Sequence, residues 1–346
     1  MTTIRDVARL ASVSCATVSH VLNGTRAVLP GTRSRVLSAV RSLDYVPSAV
    51  AQSLKQQSTR TVGLVIPNTT NPWFAELARG VEDSCFARGH AMVLCSSDEE
   101  PERQEAYVRL LRRKRVDGMV VASLRDDPRW VAALHLAGCP VVVLDRVIAA
   151  LAADLVRTDS RRAGALAAEH LTSLGHRNIA CIAGPAHLGV VRDRLAGLRR
   201  SLAAAGTGLA DDAVADGGFT AAGGHAAALA LLRATPRPTA LFALNDLMAM
   251  GAIRALAELG LRAPADVSVL GFDGIELGRY LYPALTTVAQ PTRELGARAV
   301  ELVLERARYP GLPPRSVMLP PAIVVRESTG TAPVRRRARK ASGGAA

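Results

Sequence analysis

Several polar and aromatic side chains follow directly on short apolar runs. Asn71, Trp73 and Phe74 come after TVGLVIP, Asp145 and Arg146 after VVVL, and Asn245 and Asp246 after LFAL. Asp273 ends VSVLGFD, Gln290 follows TTVA, Arg192 and Arg194 open a helical pattern after NIACIAG, and Phe219 lies in a glycine-rich loop. Planar carboxylates, guanidinium groups and amides each bond two neighbouring hydroxyls, and aromatic rings cover the C–H faces of a sugar. Binding of a small polyhydroxylated molecule is the chemistry these residues suit. Trp73 and Phe74 also fit a hydrophobic core, and Asp145 with Arg146 also fits a structural ion pair. Aromatic residues make up only 3% of the chain, which gives the PWF stretch weight.

A second constellation lies at the N-terminus, in VSCATVSHVLNG, residues 13 to 24. Val18, Val21 and Leu22 recur at helical spacing, which puts Cys15, Ala16, Ser19 and His20 on the opposite, polar face. Ile4, Val7, Ala8 and Ala11 predict a preceding helix, and Val36, Leu37, Val40 and Leu43 a following one. Ser14 is placed to cap the middle helix after a two-residue turn. That spacing is helix-turn-helix spacing, in which the second helix enters the DNA major groove. Short side chains near its start then read base edges while Thr17, Ser19, Arg26 and Arg33 meet phosphates.

Charge supports this division. The 346 residues carry a net charge of +13, of which residues 1 to 60 supply +6 and the stretch 331–346, with five Lys/Arg and no acid, supplies +5. A basic module beside a nearly neutral body is the footprint of one part meeting phosphates while the other does not. With 49% hydrophobic residues, ordinary globular cores are expected. No run approaches the roughly 18 apolar residues of a membrane span, and no secretory pattern opens the chain, so a soluble, cytoplasmic protein is expected. Five scattered cysteines without CxxC spacing argue against a disulfide framework or a zinc site. Motifs of the G-x-S-x-G, G-x-x-x-x-G-K-[ST], H-E-x-x-H and G-x-G-x-x-G types are absent, so no enzyme, cofactor or metal is expected.

The body must hold the first constellation in place. From Thr61, the runs TVGLVIP, HAMVLC, VDGMVVAS and PVVVLD read as buried strands, with FAELARGVEDSCFARG and ERQEAYVRLLRRK as helices between them. A second series beginning near Leu155 repeats the rhythm with NIACIAG, PTALFAL and VSVLGFD as strands and helices over 161–174, 192–205 and 246–259. Two α/β lobes are predicted, with the polar residues beyond the strands' carboxyl ends, where ligands sit in open α/β sheets. Between headpiece and body, Pro47 and Ser48 open a two-turn helical segment over 48–55 with Val50 and Leu54 on one side. So short a helix is marginal by itself in water.

The combination TIRDVARLASVSCATVSHVLNG with RSLDYVPSAVAQSLK resembles the lactose/galactose-repressor family of bacterial transcription factors, from Thr3 to about Ser328. The resemblance implies an all-α helix-turn-helix DNA-binding headpiece over 1–46, a hinge helix and linker over 47–60, and an α/β two-lobed domain similar to periplasmic sugar-binding proteins over 61–330. Its lobes would take 61–160 with 291–320 and 161–290 with 321–330, leaving 331–346 as a basic disordered tail. DNA contacts would come from Thr3, Ser14, Cys15, Ala16, Thr17, Ser19, His20, Asn23, Arg26, Leu54 and Lys55, with Leu54 entering the minor groove. Effector contacts would come from Asn71, Trp73, Phe74, Asp145, Arg146, Arg192, Arg194, Phe219, Asn245, Asp273 and Gln290, and Trp73 stands where a Phe or Tyr is more usual. The implied function is a homodimeric repressor of palindromic operator DNA controlled by a monosaccharide such as a pentose. A purine-responsive repressor of the same architecture stays open, as does a free-standing sugar-binding protein.

Overall fold

A computed structural model describes residues 2–46, 58–98, 100–122, 138–145 and 153–333. The chain forms two compact units, 1–60 and 61–346. Leu54, Lys55 and Arg146 fall outside the described residues, as does the predicted helix over 48–55.

In the first unit, α1 (Ile4–Leu10), α2 (Cys15–Asn23) and α3 (Pro30–Ser42) close on one small core. Val7, Ala8, Ala11, Val18, Val21, Val36 and Ala39 are buried in it, at the spacing that puts one face of each helix inward. The Ser14 hydroxyl accepts from the Thr17 backbone N–H at 3.1 Å, satisfying one of the orphan donors of α2. Ahead of it, Ser12 turns the chain with φ +50°, and Gly24 ends α2 with φ +63°, a conformation open to glycine without steric cost. Both turns are local devices, so the turn between the helices follows from sequence.

Among the described residues, the second unit holds two six-stranded sheets. The first contains β1 (Thr61–Ile66), β2 (Ala91–Ser96), β3 (Gly118–Ala122), β4 (Val141–Leu144), β5 (Asp154–Thr158) and β11 (Ser316–Leu319), in the order β11-β5-β4-β3-β1-β2 and parallel throughout. Its residues alternate between two cores. Val62, Leu64, Val120, Val142 and Leu144 face α4 (Pro72–Ala87) and α10 (Thr292–Arg308), while Val65, Met119, Val121, Val141 and Val143 face α5 (Pro101–Arg113). Burial on both faces explains why these strands read as continuous apolar runs.

The second sheet contains β6 (Ile179–Ala183), β7 (Val214–Asp216), β8 (Ala240–Ala243), β9 (Ser268–Asp273), β10 (Thr286–Ala289) and β12 (Ala322–Val324), in the order β12-β10-β9-β8-β6-β7. Only β12 runs antiparallel to its neighbour. The helices of this half are α6 (Ser160–Ser173), α7 (Gly189–Ala204), α8 (Ala221–Leu231) and α9 (Asp246–Glu258), with α6 packed on α7 and α8 on α9.

One expectation is corrected here. The segment near Leu155, read from its rhythm as the start of the second series although the lobe bounds implied by the resemblance put it in the first, is β5 and pairs with β4 and β11 of the first sheet. Its alternating burial, unlike the unbroken burial of β4, hid it among the short runs. The chain passes between sheets after β5, after β10 and after β11.

Candidate functional site

In the headpiece, α2 turns Val18 and Val21 inward and leaves Cys15 and Ala16 exposed on its first turn. Ser14 and Thr17 share a side-chain hydrogen bond of 2.9 Å, and His20 Nδ1 lies 2.9 Å from the Thr25 hydroxyl. The Asn23 amide donates to the Ser19 carbonyl at 2.8 Å and to its hydroxyl at 3.1 Å. Thr3 precedes α1, where the Asp6 carboxylate accepts from both its N–H and its hydroxyl. Arg26 and Arg33 are exposed. The first turn of the helix thus presents a small-residue face, and exposed guanidinium groups stand after it and in α3.

In the second unit, the carboxyl ends of both sheets open on a cavity of about 320 Å³. Both sheets reverse their strand order at this end, β1 to β3 in one and β6 to β8 in the other, which opens a crevice beyond the strand ends. Of the predicted residues, Asn71, Trp73, Phe74, Asp145, Arg194, Phe219, Asn245, Asp273 and Gln290 line it. Arg192 does not. It is exposed and donates to the His187 carbonyl at 2.6 Å, because two positions along α7 from Arg194 is the opposite face of the helix. Val190 takes the wall in its place.

Several lining side chains are held by a second contact. Asn71 caps α4 by accepting from Trp73 N–H at 3.0 Å. Trp73 packs edge-on against Phe74 at 4.9 Å, is only 6% exposed, and its indole Nε1 has no hydrogen-bond partner. Asn245 caps α9 by accepting from Met248 N–H at 2.8 Å, and its amide donates to the Phe219 carbonyl at 3.0 Å. Phe219 lies over Gly184, where any Cβ would come within 2.7 Å of its ring carbons. That close approach holds the ring against the cavity.

A hydrogen-bond chain joins the two halves. The Thr158 hydroxyl at the end of β5 donates to Gln290 Oε1 at 2.7 Å, and Gln290 Nε2 donates to Asp273 Oδ1 at 2.8 Å. Asp145 Oδ1 accepts from the Thr158 N–H at 3.4 Å. Arg194, 4% exposed, donates to the Leu244 carbonyl at 2.8 Å and lies 3.6 Å from the centre of the Phe272 ring, while its Nε is unpartnered. Burial lowers the pKa of Arg194, with Asp273 and Asp145 opposing that shift. Burial likewise raises the Asp273 carboxyl well above the usual carboxylate range, and the nearby Arg194 charge acts the other way. A buried guanidinium and two carboxyl groups lining the same cavity offer donors and acceptors to one small ligand.

Three of these residues, Asp145, Phe219 and Asp273, have φ of +61°, +57° and +116°. Non-glycine residues there are strained, and such strain gathers at ligand sites. Asn68, Thr70, Thr220 and Leu247 also line the cavity and were not anticipated. For Asn68 and Thr70 the Asn-rich stretch NTTN after β1 was an available signal. Leu247 had none, because it reads as one more apolar residue of α9.

Residues 59–320 match the family described as periplasmic binding proteins and sugar binding domain of LacI family, and residues 3–48 match the bacterial regulatory proteins of the lacI family. The chain belongs to the lacI family. Among curated lacI-family relatives, the HTH-type transcriptional repressor PurR of Photobacterium profundum is 38% identical over 329 residues, covering 95% of this chain and 98% of that protein. The PurR of Vibrio campbellii is 41% identical over 330 residues with the same coverage. Among solved structures, the lac repressor dimer bound to operator and the anti-inducer ONPF aligns with a TM-score of 0.85 at 29% identity, covering 95% of this chain and 99% of that one. The transcriptional regulator CelR–cellobiose complex aligns with a TM-score of 0.72 at 35% identity, covering 95% and 100%. This lacI-family chain is therefore a DNA-binding transcriptional repressor with an effector-binding domain, and not an enzyme. None of its described helices is long and apolar enough to cross a membrane.

Proposed function

We propose that this repressor acts as a homodimer on palindromic operator DNA and that a monosaccharide of pentose size, bound in the interlobe cavity, sets its operator affinity. The observation that carries the effector class is the convergence of Asp145, Asp273 and buried Arg194 on a cavity of about 320 Å³ walled by Trp73, Phe74 and Phe219. Carboxylates accept from hydroxyl donors and the rings cover apolar sugar faces. One helix-turn-helix reads only a half-site, which is why a dimer and a palindrome go together. The lac repressor dimer on operator and a lacI-family regulator from Enterococcus faecium with bound ribose, 34% identical with a TM-score of 0.71, support both halves of the reading.

Ligand acts by shifting the relation of the two lobes. The Thr158–Gln290–Asp273 chain crosses between the halves at the cavity floor, so a bound sugar that bonds Asp273 favours one arrangement over another. The PurR relatives favour a second reading, a purine effector. Titration calorimetry against a panel of pentoses, hexoses and purine bases separates the two. Heat from a pentose and a matching change in a gel shift support the sugar; saturable heat from a purine alone replaces it.

A further inference from the structure

The first turn of α2 carries a surface of short side chains with no bidentate hydrogen-bonding group. Its sequence, CATVSHVLN, contains no Arg, Lys or Gln, so of the residues that grip a base edge in bidentate fashion only Asn23 is present, in the last turn. Its amide is engaged by Ser19. Ser14 and Thr17 are bonded to each other, and His20 to Thr25. What projects from the N-terminal turn, the part of a recognition helix that meets base edges, is the Cys15 thiol and the Ala16 methyl, both exposed. A thiol is a weak donor that behaves as a small apolar group, and a methyl has no polar atom. The apolar feature of the major-groove floor is the thymine C5-methyl group.

We infer that Cys15 and Ala16 read thymine methyl groups in each operator half-site, so that specificity at these positions comes from apolar contact instead of bidentate hydrogen bonding. This rests on α2 being the recognition helix. Exposed Arg26 and Arg33 then supply sequence-independent phosphate contact.

The test begins with selection of an operator by the full chain from a randomised duplex pool. The selected site is resynthesised with dU for dT at one position at a time, which deletes only the methyl, and binding is followed by fluorescence anisotropy. At one or two positions per half-site, dU weakens binding about fourfold, the worth of one buried methyl-sized group, and about fifteenfold when both half-sites are changed. Ala16→Gly abolishes the dT over dU preference at one such position, Cys15→Ser reduces it at another, and Cys15→Ala retains it. Circular dichroism and effector titration establish that each variant is folded. If every dU operator binds like its dT parent while Ala16→Gly and Cys15→Ser select altered sequences, methyl reading is overturned and recognition by α2 stands. If Ala16→Gly and Cys15→Ser both select the parental operator, or the full chain selects none, the recognition-helix reading itself falls.

Discussion

Asp145 illustrates how little freedom a cavity residue has. It sits at φ +61° just past β4, accepts from the Thr158 N–H, and faces the same space as Arg194 and Asp273. Asp145→Ala leaves sugar hydroxyls without a buried acceptor at a cost of about 1–3 kcal/mol, so calorimetry should show effector affinity falling roughly tenfold or more. Operator binding in the absence of effector should survive, and unchanged sugar affinity in a folded variant would remove the acceptor role. Neighbouring Asp246 does different work. Fully buried, it accepts from the Gly274 and Ile275 N–H groups and from the Thr287 hydroxyl, tying α9 to β10 and the turn after β9. Burial pushes its pKa up to about 7 from the usual 3.8, with the hydrogen bonds opposing. An acid whose pKa is higher in the folded state binds its proton more tightly there. Its contribution to stability is full below about pH 4 and is lost as the pH rises towards 7. Urea unfolding of Asp246→Asn and of the parent at pH 5 and pH 8 should show the parent losing more stability between the two; a constant difference at both pH values would refute this.

At the scale of elements, two glycines let α6 and α7 approach to backbone contact. A Cβ on Gly164 would lie 2.0 Å from the Arg194 carbonyl oxygen, and one on Gly197 2.0 Å from that of Arg161. Since α7 carries Arg194 into the cavity, its seat on α6 sets the guanidinium position. Gly197→Ala should force the helices apart, cost about 1–3 kcal/mol of overpacking strain, and weaken effector binding although residue 197 does not line the cavity. A thermal melt and calorimetry on one preparation check both effects, and a destabilised variant with parental sugar affinity would uncouple the helix seat from the site. The predicted start of α7 at 192 fell short of the observed Gly189, because Leu188 offers no side-chain cap to mark the helix start. Glycine and β-branched residues at the first turn mask a helix whose formation depends on tertiary contact.

For the molecule as a whole, the charge concentrated in residues 1 to 60 predicts steep salt dependence of operator binding. With roughly six to ten phosphate contacts, affinity should drop about 10³- to 10⁵-fold between 50 and 200 mM salt. A chain lacking residues 1 to 60 that kept operator binding with the same slope would contradict this. Effector control obeys linkage as well. The factor by which sugar changes operator affinity must equal the factor by which operator changes sugar affinity, and the two titrations can be compared directly.

The helix-turn-helix, most strands and nine of the ten expected cavity residues that fall within the described chain were legible in the sequence because each rests on local rules. Periodicity sets which face of a helix is buried, a serine before an apolar pattern sets a cap, and a polar residue after an apolar run marks a strand's carboxyl end. Tertiary structure decided the rest. Only pairing with β4 and β11 assigns β5 to the first sheet, only the rotation of α7 admits Arg194 and turns Arg192 away, and only the meeting of strand ends joins Thr158, Gln290 and Asp273. The β5–β11 pairing and the Thr158–Gln290 bond join residues more than a hundred positions apart, and no local propensity encodes the distance at which two such segments come to rest.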